Sequence, residues 1–345
     1  MNKKSERQPV VTGVGWTTPF GIGGMESLTG LISGASSIAA RTVQCSAAPL
    51  FQALTQEVLA TGGELSKELE ADHGTWLAGA TVLAALHDAK WELDRESSDR
   101  MGLALGCGSA GQEAMIAFAT EVREQSPRFV SPLHFPQTVG NYAAGAIARA
   151  LHFRGPNLTF AGGTGCGMAA IIEACRLLQR GEAEVMLAGG FEAYTDALAG
   201  AFGEGRENLS EGACFLVLEI ASHAEGRNAP RLATVNGWCH GPDTEEMIRK
   251  AEVVSVVDGR RPGAVCAEEF IGRCDGALGA AAVAAGIASV RGPSVTIMDE
   301  QGGPCAKRRA TLSTPPSSAA VEPRLAVVSG QSTADRLAMD LFVHA

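Results

Sequence analysis

Two side chains with nucleophilic chemistry, the Thr164 hydroxyl and the Cys166 thiol, lie two residues apart in the run GPNLTFAGGTGCGMAAIIEACRLLQRGEAEVMLAGG. A hydroxyl is a poor nucleophile without an adjacent base. A thiol reacts as its thiolate, which the positive end of a helix stabilises. Cys166 opens the helix that follows and is read as a small, apolar-like residue rather than as the nucleophile. His134 in SPLHFPQTVGN and His240 in VNGWCHGPDT are the histidines nearest to recognisable motifs. A lone histidine is more often a hydrogen-bonded structural group than a catalyst, and both are read that way. The nine cysteines are an odd number, scattered and without a CxxC pair, so neither a zinc site nor a disulfide framework is signalled. No metal, nucleotide or covalently attached cofactor is expected.

The elements that position these groups follow from apolar spacing. The central run reads as strand, glycine-rich turn, amphipathic helix, glycine stop and second strand. Met168, Ile171, Ile172, Cys175 and Leu178 recur at i, i+3, i+4, i+7 and i+10 on one helix face, and Gly181 is placed to end that helix. VVTGVGWTTPFG, from Val10, is a buried strand entering a turn, with a helix predicted near 25–32. Trp76, Ala80, Leu83, Ala84 and His87 predict a helix over 75–93 with Thr75 as its N-cap. Further strands are predicted at 101–107, in ACFLVLEI, RLATVNGW, VVSVVDG and SVTIMD, and lastly in LAVVSG. A helix of small residues follows Asp275, which is placed to cap it, and stops at Gly292 and Pro293. Residues 307–323 read as a surface loop. This alternation predicts an α/β layered fold with buried sheets. A polar stretch at 225–230 divides residues 1–226 from 227–345, two halves of one structural unit.

Composition narrows the function. The chain has 345 residues, 28 basic and 38 acidic, for a net charge of −10, and 46% of its residues are apolar. That apolar content excludes intrinsic disorder. Lys307, Arg308 and Arg309 form the only compact basic run, so nucleic acid is not an expected partner. No run is long enough to span a bilayer, and Gln8 and Pro9 interrupt the start of any signal-like segment. A reduced, cytosolic protein is expected.

Six strings in order, from Val10 to about Ala284, resemble the β-ketoacyl synthase family of the thiolase fold: VVTGVGWTTPFG, SPLHFPQTVGNYAAG, RGPNLTF, RGEAEVMLAGG, SEGACFLVLE and GALGAA. The resemblance implies a five-layer αβαβα architecture of two similar halves and a dimer along the central strand. It implies an acyl chain held on a cysteine at a strand-to-helix elbow, two histidines beside it, and condensation with malonyl carried on an acyl carrier protein. It also makes His134, Phe135, Gln137 and Thr138 candidates for an acyl-pocket wall that reaches across the dimer. Ala110, Gly111 and Gln112 resemble the loop that gates chain length.

The chain departs from that pattern where the chemistry sits. Ungapped alignment on the elbow puts Thr164 at the cysteine position, and Gly276 stands at the second histidine position in GALGAA. Between Val256 and Glu268 there is no counterpart of the NAHGT segment, and His240 falls on an earlier family segment. The resemblance therefore implies a non-catalytic partner subunit, a chain-length factor of a type II polyketide synthase. Such a subunit pairs with a cysteine-containing ketosynthase as a heterodimer and shapes the tunnel for a chain borne on acyl carrier protein. Two alternatives stay open: a ketosynthase-like decarboxylase or acyltransferase with a rearranged site, and a homodimeric acyl-binding module.

Overall fold

The computed structural model describes residues 7–18, 21–34, 72–92, 97–125, 127–128, 130–132, 134–202, 209–241, 243–251, 253–256, 265–291, 324–329 and 337–344. In chain order the first half contains β1 (Pro9–Thr18), β2 (Gly21–Gly23), α1 (Met25–Gly34), α2 (His73–Asp88), β3 (Met101–Cys107), α3 (Gln112–Gln125) and α4 (Tyr142–Ala150). It continues with β4 (Asn157–Ala161), α5 (Cys166–Arg180), β5 (Val185–Glu192), α6 (Asp196–Phe202), β6 (Gly212–Ile220) and α7 (Ala221–Gly226). The second half contains β7 (Ala233–His240), α8 (Asp243–Lys250), β8 (Val253–Val256), β9 (Val265–Cys266), α9 (Glu268–Ile271), α10 (Asp275–Arg291), β10 (Arg324–Ser329) and β11 (Leu337–Val343).

Strand side chains alternate between faces, and the alternation divides the interior into separate cores. Phe215 and Val217 of β6 face α2 and α4, whereas Cys214, Leu216 and Leu218 face the opposite core, which contains α5 and α10. In β10, Leu325 and Val327 join that same central core, while Ala326 and Val328 pack with Ile248 of α8. The layers are thus α2 and α4, a first set of strands, α5 and α10, a second set of strands, and α8. This is the expected five-layer αβαβα order.

The strands run in the order β4, β3, β5, β6, β1, β7, β11, β10, β8, β9, with β2 pairing β1. β3 is parallel to β4 and β5, and β5, β6 and β1 then alternate in direction. The two sets of strands meet at the pairs Val10–Thr234 and Val11–Ala233, so the sheet passes from one layer to the next at one end of β1. Just beyond, β1 carries a register shift between Val11 and Gly13, and the Asp88 carboxylate accepts the N–H groups of Val14 (2.9 Å) and Met25 (3.0 Å).

Local signals explain most boundaries. The five apolar positions read on α5 are all buried. Gly181 ends α5 in the left-handed region at φ 75°, where a side chain is disfavoured. α2 corrects the expected cap: Asp72, not Thr75, is its N-cap, and Asp72 accepts hydrogen bonds from the Thr75 N–H (2.9 Å) and hydroxyl (2.5 Å). The helix therefore starts at His73, and it ends at Asp88 rather than at residue 93. Sequence reading takes LAVVSG, the region of β10, as the last strand; β11 follows it and lies between β7 and β10. Asp340 interrupts the apolar pattern of β11, yet it is buried and bonded to Arg324 (2.7 Å) and Asn236 (2.6 Å). The expected strand SVTIMD, the stop at Gly292 and Pro293, and the loop at 307–323 lie outside the described residues. Among the described residues no helix is long and apolar enough to cross a membrane.

Candidate functional site

The end of β4 and the start of α5 form a glycine-rich elbow. Its turn is closed by hydrogen bonds from Gly162 N to Cys107 O (3.2 Å) and from Cys166 N to Gly163 O (3.0 Å). Gly162 and Gly163 are exposed, Thr164 is half-buried and Cys166 is buried as the first residue of α5. Burial, followed by the negative charge of Glu192, pushes the Cys166 thiol up to about 12 against the opposing pull of the Gly167 N–H. At neutral pH Cys166 is therefore protonated and lacks the thiolate form that attacks thioesters.

Behind the elbow sits a carboxylate that sequence reading did not single out. Glu192, at the end of β5, is 2% exposed. It accepts the N–H groups of Gly108 (3.0 Å), Ser109 (2.9 Å) and Gly276 (3.1 Å), together with the Ser109 hydroxyl. Burial raises its pKa, and these four hydrogen bonds oppose that rise. One side chain thereby ties the end of β3 to the first turn of α10, where the helix dipole favours a negative group. The available signal was an acidic residue ending a strand that is otherwise buried.

Gly276, at the expected histidine position, has no room for any side chain. A Cβ there would lie 2.0 Å from the Phe191 carbonyl oxygen and 3.0 Å from the Cys107 Cα. Both neighbours are backbone atoms of adjacent strands, so they do not yield as a flexible side chain would. The helix can approach the sheet this closely because residue 276 is glycine. With this backbone, residue 276 cannot be a histidine.

A cavity of about 220 Å³ opens beside this arrangement. Of the residues expected at a pocket wall, Ala110, Gly111, Gln112 and Gln137 line it. His134, Phe135 and Thr138 are not among its lining residues. The His134 ring is exposed and pairs with Glu121 at 3.2 Å. Phe135 is 56% exposed and forms a T-shaped pair with Phe118, and the Thr138 hydroxyl donates to the Phe135 carbonyl at 2.7 Å. His240 ends β7, five strands from β4 in the sheet order and in the second set of strands.

The cavity also brings in a histidine that sequence reading passed over. His73, in the first turn of α2, pairs through Nε2 with Glu211 Oε2 at 2.8 Å. Glu211 is fully buried, whereas the His73 side chain keeps 34% of its exposure and lies over Trp76 with ring centres 6.1 Å apart. The hydrogen bond to Glu211 raises the pKa of His73, desolvation opposes it, and the charges of Glu211, Glu113 and Asp72 add to the rise. A histidine directly after an aspartate N-cap was the local signal, but its partner lies 138 residues away.

Comparison with known proteins places the chain in a family. A family model described as Beta-ketoacyl synthase, N-terminal domain, matches residues 7–217. The chain is 29% identical over 274 residues to 3-oxoacyl-[acyl-carrier-protein] synthase 2 of Vibrio harveyi, covering 72% of this chain and 66% of that protein. It is 27% identical over 318 residues to the mitochondrial 3-oxoacyl-[acyl-carrier-protein] synthase of Arabidopsis thaliana, covering 77% and 68%. The chain thus spans about two-thirds of the length of these relatives. Among solved structures, the ishigamide ketosynthase/chain length factor superposes with a TM-score of 0.67 at 19% identity, covering 98% of this chain and all of that one. A type II polyketide synthase acyl-carrier protein in complex with its ketosynthase gives 0.71 at 15% identity, with the same coverage. The matched family model spans more than half of the sequence and the elbow lies within it, so this chain belongs to the β-ketoacyl synthase family.

Proposed function

We propose that this chain is a non-catalytic ketosynthase-like subunit that pairs with an active ketosynthase and helps to shape the tunnel for a growing acyl chain. The observation that carries the reading is the pair of lost positions: a threonine at the elbow, and a glycine whose surroundings exclude the second histidine. Members of a cooperative catalytic unit lose nearly all their rate when one is removed. The buried, protonated Cys166 does not replace the missing nucleophile.

The surface supports a partner. α3 buries none of its side chains, and Met115, Ile116, Phe135 and Val139 are exposed large apolar residues on it and on the adjoining turn. β4 ends the sheet order, its outer edge has no strand partner among the described residues, and α4 touches both β4 and the Phe135–Thr138 turn. An exposed edge strand next to an apolar patch is the surface that a partner covers. The structural likeness to a ketosynthase/chain length factor fits a heterodimer of this kind, with acyl carrier protein delivering the chain.

Native mass spectrometry of this chain, expressed with and without a cysteine-containing ketosynthase encoded beside it, tests the proposal. A one-to-one complex that forms only with the partner is the expected result. A homodimer that ignores the partner would reject it and make an acyl-binding or decarboxylase role the next reading.

A further inference from the structure

We propose that His73 acts as general base in the hydrolysis of acyl thioesters within the cavity it lines, an activity separate from condensation. Only the substrate class rests on the acyl-chain role proposed above; the base and its surroundings do not. His73 Nε2 lies 2.8 Å from Glu211 Oε2. A carboxylate oxygen only accepts, so Nε2 carries the proton and the neutral ring keeps its lone pair on Nδ1. Nδ1 makes no hydrogen bond among the described residues, and 34% of the side chain stays exposed on the cavity wall. Glu211 is held in turn by the Tyr194 N–H at 3.4 Å, and Trp76 stacks on the imidazole with 19° between the ring planes. An imidazole fixed in one tautomer by a buried carboxylate, with its second nitrogen free, is the arrangement of a general base.

The same cavity supplies donors for the charge that develops. Gly111, Gln112, Glu113 and Ala114, at the start of α3, line it with His73. The Gln112 N–H donates to the Ser109 carbonyl (3.1 Å) and the Met115 N–H to the Gly111 carbonyl (2.8 Å), whereas the Glu113 and Ala114 N–H groups have no acceptor among the described residues. Two adjacent free amides at the positive end of a 14-residue helix favour an oxyanion. In the reaction a water oxygen bonds the thioester carbonyl carbon as its proton passes to Nδ1. The tetrahedral oxyanion accepts hydrogen bonds from the two free amides. Its collapse breaks the carbon–sulfur bond, and the departing thiolate takes the proton from Nδ1, leaving a carboxylic acid and a thiol. Glu211, Glu113 and Asp72, whose charges raise the pKa of His73, stabilise the imidazolium between the two transfers.

Thiol release from butyryl-pantetheine by the full chain, followed from about pH 5 to pH 9, tests the proposal. Release above the buffer blank is expected to rise with pH and to level off above the folded pKa of His73, because only the neutral ring takes a proton. His73→Gln, its fold checked by its urea midpoint, is expected to lower the rate at least about a hundredfold. Glu211→Gln keeps an acceptor for Nε2 and removes the charge, so the pH midpoint of release should move downward, the mark of a positioning residue. Cys166→Ala is expected to keep the parent rate. Absence of release from the parent chain, or release that persists in His73→Gln, would overturn the proposal, as would a pH midpoint that stays in place in Glu211→Gln. Loss of release in Cys166→Ala would overturn it by moving the chemistry to the elbow. A one-to-one complex with a ketosynthase in native mass spectra, without thiol release, would reject hydrolysis and leave the pairing role intact.

Discussion

At the scale of single residues, Thr164 and Gly276 differ in what a substitution can restore. Thr164→Cys puts a thiol of similar size at a half-buried elbow position, so stability should change by less than about 1 kcal/mol. Condensation should still fail, because the crowded backbone at Gly276 leaves the histidine role unfilled. The variant, supplied with acyl and malonyl carrier protein, is expected to yield no 3-oxoacyl product by chromatography; product formation would show that another group supplies that role. His73 makes a separate prediction. Its folded pKa lies above the ordinary 6.5, so the stability from its pairing is complete below 6.5 and is lost as pH rises through the folded value. The groups that set this are Glu211, Glu113 and Asp72. Thermal midpoints measured across that range should fall with pH in the parent chain, and the slope should flatten in His73→Gln.

At the scale of elements, one buried carboxylate joins β1, β6 and α7. Glu219 accepts hydrogen bonds from Arg227 Nε (2.8 Å) and Nη2, from His223 Nδ1 (2.7 Å) and from the Thr12 hydroxyl. Arg227 also lies 4.8 Å from the centre of the Trp91 ring, which stacks on His223, and it donates to the Ala89 carbonyl at 2.9 Å. Burial alone would raise the pKa of Glu219. The bonds from Arg227, His223 and Thr12 outweigh burial and bring it down from 4.5 to about 2. A depressed carboxylate contributes stability above pH 4.5 and loses it as pH falls through about 2. A change of that size corresponds to about 3 kcal/mol. Acid denaturation should show this loss between those values, and Glu219→Gln should lower stability at neutral pH by about 3 kcal/mol in urea titrations.

At the scale of the whole molecule, the exposed apolar residues lie on α3, on the Phe135–Thr138 turn that packs against it and at Val139 just after that turn. Ile116 and Phe135 are 47% and 56% exposed, so charge there costs the isolated fold little. Ile116→Glu combined with Phe135→Glu should keep the urea midpoint of the parent chain and abolish the one-to-one complex in native mass spectra. An unchanged complex would move the partner to another face.

Sequence alone determined what depends on local spacing. The buried face of α5 and its stop at Gly181 follow from intervals of three and four residues and from the left-handed backbone that glycine accepts. The order of the motifs also gives the expectation that Thr164 and Gly276 stand at the cysteine and second histidine positions, because each lies beside strings that align without gaps. Tertiary structure alone decided what depends on contacts distant in the chain. Glu192 meets Gly108 and Gly276, each 84 residues away, and His73 meets Glu211 across 138. Spacing reports which way a side chain faces and carries no record of its partner. The buried Asp340 hid β11 for the same reason: its partners, the Arg324 guanidinium and the Asn236 amide, come from two other strands. The steric exclusion at Gly276 likewise required the Phe191 carbonyl, which only the packing of α10 on β5 brings within 2.0 Å of a Cβ.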